Sequence, residues 1–228
     1  MNRVEPAALD RAVADDLDTI LRLRDEAARW IAATGSDQWQ TAWPTADGQA
    51  ERIADSIAAG QTWMLRVGDD VAGTVAVDEY ANPALWTPAE CAEPAFYVHR
   101  LIVTRAYGGR GLGAFVLDWW GDRAAETGKR WIRVDVWTTN HRLREYYTGQ
   151  HFTHVRTIHS DYPSGALSSA PPCPGVRRGP ARSSSGTQPV GWPAVGHHAN
   201  GAVRSVALAQ IVTVMTGFRN AVTTAILR

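Results

Sequence analysis

The stretch Arg100-Leu-Ile-Val-Thr-Arg-Ala-Tyr-Gly-Gly-Arg-Gly-Leu-Gly-Ala114 decides the fold. An apolar strand runs into four glycines within six residues and then directly into an amphipathic helical pattern. Glycine takes positive φ without a Cβ penalty and lets a ligand approach the backbone closely. Successive N–H groups in such a turn converge into a nest. The new helix adds its unpaired N-terminal donors and the positive end of its dipole. Arg110 can add a charge-assisted contact. Together these features describe a pyrophosphate cradle; a glycine-rich turn that serves packing alone is the competing reading.

Outward from this stretch, the hydrophobic period assigns the neighbouring elements. A helix is expected over Asp16–Thr34, with Ile20, Leu23, Ala27, Trp30 and Ile31 on one face and Gly35 as a stop. A shorter helix is expected over Ala50–Ala59. Thr62–Val67 and Val71–Val77 read as a hairpin around Gly68-Asp69-Asp70, and Ala81–Pro94 as a loop with three prolines. Phe96–Thr104 is a strand. Gly111–Thr127 is a helix burying Leu112, Phe115, Val116, Trp119 and the stem of Arg123. Then come a strand at Trp131–Trp137, a helix at Asn140–Gly149 and a strand at Phe152–Ile158. The expected class is α/β, with a mixed, mostly antiparallel central sheet and flanking helices.

A domain over 1–168 is expected, followed by a tail over 169–228 that is rich in Pro, Gly, Ser, Ala and Arg and should be largely disordered or irregular. The formal net charge is zero, but residues 1–160 carry 22 acids and 17 bases, whereas 161–228 carry one acid and six arginines. The shift in composition suggests a replaced ending. On that reading the final strand, which begins at Ser164-Gly-Ala-Leu167, is lost or improvised and a neighbouring sheet edge is left open. A mildly acidic body argues against nucleic acid as a partner. No apolar run reaches the length of a membrane span, and the first residues lack a signal pattern, so a cytoplasmic protein is expected. Cys91 and Cys173 have no ligand spacing, and the pair His197-His198 is isolated; no metal site is expected.

Three phosphate ligands compete for the glycine loop. A P-loop needs Gly-Lys-Ser/Thr, and this loop ends in Gly-Leu-Gly-Ala. Gly109-x-Gly111-x-x-Ala114 does satisfy a dinucleotide fingerprint. However, the acid that should follow it, Asp135, lies inside its strand, and no further βα units follow. The third reading is a resemblance. Leu101-Ile-Val103 with Tyr107-Gly-Gly-Arg-Gly-Leu-Gly-Ala114 resembles the acetyl-CoA segment of the GNAT N-acetyltransferase superfamily, whose loop reads Arg/Gln-x-x-Gly-x-Gly/Ala. Gly108 stands in the Arg/Gln place, which removes one side-chain contact. A second block, Asn140-His-Arg-Leu-Arg-Glu-Tyr-Tyr-Thr-Gly-Gln-His-Phe152, is similar to the family's Asn-x-x-Ala-x-x-aromatic-Tyr-x-x-x-Gly-Phe, with Leu143 and His151 replacing Ala and Gly. Two motifs in the right order are more specific than either alone.

The resemblance implies a slot splayed open beside the Phe96–Thr104 strand, with acetyl-CoA as co-substrate. Pantetheine would lie along Leu101, Ile102 and Val103, the diphosphate on Gly109, Arg110, Gly111, Leu112, Gly113 and Ala114, with Gly108 also in the cofactor-binding loop, and Asn140 would face the arm. It implies Tyr147 as general acid toward the leaving thiolate, with Tyr146 as second choice. His99 is the candidate base, Glu79 a weaker one, and a backbone N–H near Leu101 or Ile102 the oxyanion donor. The acceptor is read as a primary amine of a small molecule or peptide, met by the Trp39–Trp43 and Glu79–Pro94 loops, with Trp86 among their aromatics. A non-catalytic acyl-CoA-binding or regulatory module is the alternative, and a homodimer is left open.

Overall fold

The computed structural model describes residues 6–40, 45–158 and the strand Ala166–Ala170. Seven strands form one sheet: β1 (Ala7–Arg11), β2 (Thr62–Val67), β3 (Asp70–Asp78), β4 (Ala95–Val103), β5 (Trp131–Val136), β6 (Thr153–Thr157) and β7 (Ala166–Ala170), in the order β1-β2-β3-β4-β5-β7-β6. Every neighbouring pair is antiparallel except β4–β5. Helices α1 (Leu17–Ala33) and α2 (Ala46–Ala58) precede the hairpin, α3 (Pro88–Cys91) interrupts the proline loop, and α4 (Leu112–Glu126) and α5 (His141–Gly149) flank β5 in sequence.

The alternation of side chains divides the core between the two faces of the sheet. Leu65, Val75, Val77, Phe96, Val98, Ile132, Val134 and Val136 bury themselves against α4 and α5 through Val116, Leu117, Trp120, Ala124 and Tyr147. On the other face Met64 meets Ile20, Ile53 and Ile57 of α1 and α2. The buried side of α4 is rotated from the expected one. Val116, Leu117, Trp120 and Ala124 are buried, while Leu112, Phe115 and Trp119 lie half-buried at the margin and Arg123 pairs with Glu126. Adjacent Trp119 and Trp120 make both stripes apolar, and Trp63 of β2 contacts both rings, at 5.4 and 5.6 Å.

Three further elements differ from expectation. β1 pairs along β2 but has only Leu9 as a large apolar residue, so it carries no readable alternation. α2 starts at Ala46 because Thr45 caps it, accepting from the Gly48 N–H at 3.1 Å. Within the proline loop Thr87 and Glu90 form a capping box around α3. The ending is also corrected. β7 continues to Ala170 and pairs with both β5 and β6, so the edge expected to be open is closed. Residues 171–228, with Cys173 and the His197-His198 pair, lie outside the described residues.

α5 ends in a Schellman turn: Phe152 N–H donates to Tyr147 O at 3.0 Å and His151 N–H to Thr148 O at 3.0 Å, with His151 at φ 68°. This explains why glycine stands here in the resembling pattern. His151→Gly should therefore stabilise the fold. Relief of roughly 1–2 kcal/mol of left-handed strain is partly offset by about 0.4–1 kcal/mol of added chain entropy in the unfolded state. Urea unfolding should show a gain of about 0.5–1 kcal/mol at unchanged slope.

Candidate active site

The site begins where β4 and β5 part. Their parallel pairing covers only Ala95–Tyr97 against Trp131–Arg133. Beyond Tyr97, β4 stays with β3 as far as Val103, opposite Gly73, and its β5-facing edge pairs with no strand among the described residues. A bulge adds to this divergence: Ala76 faces His99 and Thr74 faces Ile102, so one residue of β3 opposes Arg100 and Leu101. Arg100 takes φ 47° there. Its guanidinium donates to Ser56 Oγ at 2.9 Å, and burial, then the charge of Arg52, pushes its pKa down to about 10. Gly73 is required beside the bulge, since a Cβ would come within 2.2 Å of Ile102 O.

At the end of β4 a turn over Arg105–Tyr107 leads into the glycines. Gly109 and Gly111 have φ 75° and 77°, and Gly111 caps α4. The space above both is open. The first bond into α4 is Phe115 N–H to Gly111 O at 3.0 Å. The N–H groups of residues 109 to 114 therefore donate to no acceptor among the described residues, as a helix start requires. Donors at a positive dipole end, with open space in front of them, fit a diphosphate. Arg110 lies 4.8 Å from the Tyr107 ring, whose hydroxyl donates to Asp70 at 2.7 Å. Gly113 faces Tyr146: a Cβ there would meet the Tyr146 hydroxyl at 2.4 Å.

His99, Asp78 and Asp135 come together on the α1–α2 side of the sheet, just past the last β4–β5 rung. His99 Nε2 is 3.4 Å from Asp78 Oδ1, and Nδ1 is 3.7 Å from Asp135 Oδ1. Burial alone would lower the imidazole pKa, but hydrogen bonding to Asp135 and Asp78, with their charges, outweighs it and raises the pKa to about 9. The side chain keeps 35% of its surface exposed. Asp135, noted in the sequence only for the dinucleotide reading, and Asp78 are the partners that sequence reasoning missed; they are distant in the chain and meet only through strand register. Glu79 is engaged elsewhere, paired with Lys129 at 2.6 Å.

Tyr147 belongs to the opposite face. It is buried against Phe152, with ring centroids 5.2 Å apart, and its phenol is pushed well above the usual range, chiefly by burial and then by Tyr146 and Asp135. The amide of Asn140 has two partners within the chain. Its oxygen accepts from Leu143 N–H at 3.1 Å, capping α5, and its nitrogen donates to Gln38 Oε1 at 2.6 Å. Gln38 sits in a segment after α1 that is laced to the β5–α5 corner. Asp37 accepts from Trp137 Nε1 at 2.7 Å and from Thr139 Oγ1 at 2.5 Å, and Ser36 meets Thr139 at 3.1 Å. Of the Trp39–Trp43 loop, residues 41–44 lie outside the described set.

Trp86 departs from the acceptor-lining expectation. It is buried with Leu85, Ala95 and Tyr97, and its ring lies 4.7 Å from the guanidinium of Arg133. The surrounding loop serves to enclose that arginine. Among the described residues no group of three or more His, Cys, Asp or Glu is placed to hold a metal ion. Nor is any helix there long and apolar enough to cross a membrane.

A sheet opened between β4 and β5, with a glycine-built donor cradle at the open end, is an acetyltransferase architecture. The chain belongs to the acetyltransferase (GNAT) family, whose model matches residues 24–152. It is 32% identical over 145 residues to the uncharacterized N-acetyltransferase YesJ of Bacillus subtilis (strain 168), covering 60% of this chain and 76% of that one. Solved structures share the fold, and two of them illustrate it. An acetyltransferase of the GNAT family from Listeria monocytogenes 4b F2365 matches at TM-score 0.60 and 22% identity, over 72% of this chain and 94% of the other. The PaiA N-acetyltransferase of Thermoplasma acidophilum, solved in complex with coenzyme A, matches at 0.57 and 15% identity, over 72% and 98%.

Proposed function

We propose that this protein transfers the acetyl group of acetyl-CoA to a primary amine of a small molecule or peptide by direct attack of the amine on the thioester. The observation that carries this reading is the β4 edge that pairs with no strand among the described residues beyond Tyr97, which has the His99 carboxylate pair on one side of the sheet, Tyr147 on the other, and the glycine cradle at its end. The edge of Leu101, Ile102 and Val103 receives the pantetheine arm as a sheet partner would. Residues Gly108 to Ala114 hold the diphosphate. Asn140 fixes the start of α5 and, through Gln38, the segment on the acceptor side. Acetyl-CoA supplies an activated carbonyl carbon for the amine.

Asp78 and Asp135 give the acceptor mouth negative charge suited to an ammonium. His99 then takes the proton. At a pKa of about 9 only roughly one imidazole in a hundred is neutral at pH 7, yet the value is well matched to an alkylammonium donor. A bulge N–H at Leu101 or Ile102 holds the oxyanion. Tyr147, kept protonated by its surroundings, is the acid for the thiolate.

The test is thiol release from acetyl-CoA across a panel of amines. Because the neutral imidazole is the active form, kcat/KM should climb between pH 7 and 9 and level near 9, and His99→Gln should remove that inflection. Tyr147→Phe should lower kcat by roughly 100-fold or more. The ion pairs of His99 also stabilise the fold. Their contribution is complete below the ordinary value of 6.5 and disappears as pH rises through about 9, so the melting temperatures of native and His99→Gln protein should converge toward pH 9.5. Well-folded protein that releases no thiol with any amine would refute the proposal.

A further inference from the structure

We propose that the Tyr146 hydroxyl completes the diphosphate cradle, supplying the side-chain donor that Gly108 does not. This rests on the reading of the Gly108–Ala114 loop as the acetyl-CoA site.

Three observations converge on it. First, the loop has lost a polar side chain at position 108, and Arg110 lies against the ring of Tyr107. Second, this hydroxyl crowds the first turn of α4. A Cβ on Gly113 would stand 2.4 Å from Tyr146 Oη, whereas nothing lies within 4 Å of the corresponding points on Gly109 and Gly111. Gly113 is the second residue of α4, and its Cβ direction tilts toward the helix N-terminus. The phenol oxygen is thus at the rim where the unpaired N–H groups end. Third, that oxygen makes no hydrogen bond to any described residue, although the neighbouring ring of Tyr147 is buried. Tyr146 as a residue is 36% exposed.

The chemistry suits an anion. Burial, then the charge of Asp118, raises the phenol pKa, so the group remains an O–H donor. A neutral donor beside backbone N–H groups binds phosphate oxygens without requiring a counter-charge. The adjacent tyrosines then divide the work. Tyr147 stays in the core on the side of the reacting carbonyl, and Tyr146 reaches forward to the cradle. The missing Cβ of Gly113 leaves room for that oxygen where it stands.

The test compares two acyl donors, acetyl-CoA and S-acetylpantetheine, which lacks the diphosphate. Tyr146→Phe should weaken CoA binding about tenfold by calorimetry, the scale of one hydrogen bond to a charged group. It should leave kcat/KM with S-acetylpantetheine within twofold of native. Gly113→Ala, which pushes the hydroxyl aside without removing it, should weaken CoA similarly, and the double variant should lose no more than either alone. Unchanged CoA affinity in Tyr146→Phe overturns the proposal. So does an equal loss with both donors, which would place the hydroxyl on the thioester arm or in the packing. Native protein with no CoA affinity instead overturns the reading of the loop itself.

Discussion

Arg133→Ala should lower the melting temperature by about 6–12 °C, the equivalent of roughly 3 kcal/mol. Arg133 sits mid-strand on β5 with 2% of its surface exposed. It donates to Glu90 O at 2.6 Å and Tyr97 Oη at 2.9 Å, and pairs with Glu93. The rings of Trp86, Tyr97 and Trp131 stand 4.7, 5.8 and 5.9 Å from its guanidinium. Removing the cation strips the buried Tyr97 hydroxyl and the half-buried Glu90 carbonyl of their donor and opens a void inside an aromatic cage. Glu93 keeps Arg130 at 3.3 Å and is partly exposed, which holds the loss near the lower end for a broken buried pair. A second clamp, Arg156 on Glu90 at 2.7 and 2.5 Å, keeps the loop attached and draws the Glu90 carboxyl down to about 2.

The damage should extend to the site, because Tyr97 and Arg133 form the last β4–β5 rung before the strands part. The hydroxyl-to-guanidinium bond spans that rung, so losing it frees the fork itself. Arg133→Met with Glu93→Gln should recover part of the stability, since an apolar stem refills the cage and no charge is left unpaired. A loss under about 2 °C in Arg133→Ala, measured by thermal denaturation, would show that the cage carries little load.

That cage also marks where the sequence stops being readable. Strands β2 to β5 and the cradle are legible because their signals are local: apolar runs, a glycine cluster, a helix period directly after it. In Trp131-Ile-Arg-Val-Asp-Val136 the same alternation assigns Arg133 and Asp135 to a solvent face. In the structure that face is covered, over Arg133 by the proline loop some forty residues earlier and beside Asp135 by His99. No short-range pattern encodes such contacts. Trp86 belongs with these, since an aromatic in an irregular loop reads equally as a ligand contact or a core plug until its buried cation is known. The lacing of Asp37 and Gln38 to Trp137, Thr139 and Asn140 spans about a hundred residues and was equally hidden. His151 is an intermediate case. Its replacement of a glycine is visible in the sequence, and its left-handed backbone, φ 68°, is seen only in the structure.

Gly111→Val should reduce CoA affinity and kcat/KM for acetyl-CoA by about a hundredfold, close to 2.7 kcal/mol, while shifting the melting temperature by less than roughly 3 °C. A simple clash is not the cause, because nothing lies within 4 Å of where the new Cβ would be. The cost is conformational. At φ 77° a β-branched residue is strained, and the exposed loop relieves the strain by rotating to negative φ. That rotation turns the N–H groups at the start of α4 away from one another and dismantles the nest. Two charge-assisted bonds lost at about 1.5 kcal/mol each suffice for the predicted effect. Gly111→Ala, which tolerates the left-handed region better, should lose only about tenfold. The distinction matters for what the loop does. If it served packing alone, valine would disturb stability and spare binding; a cradle predicts the reverse, and calorimetry with CoA beside a thermal melt separates the two.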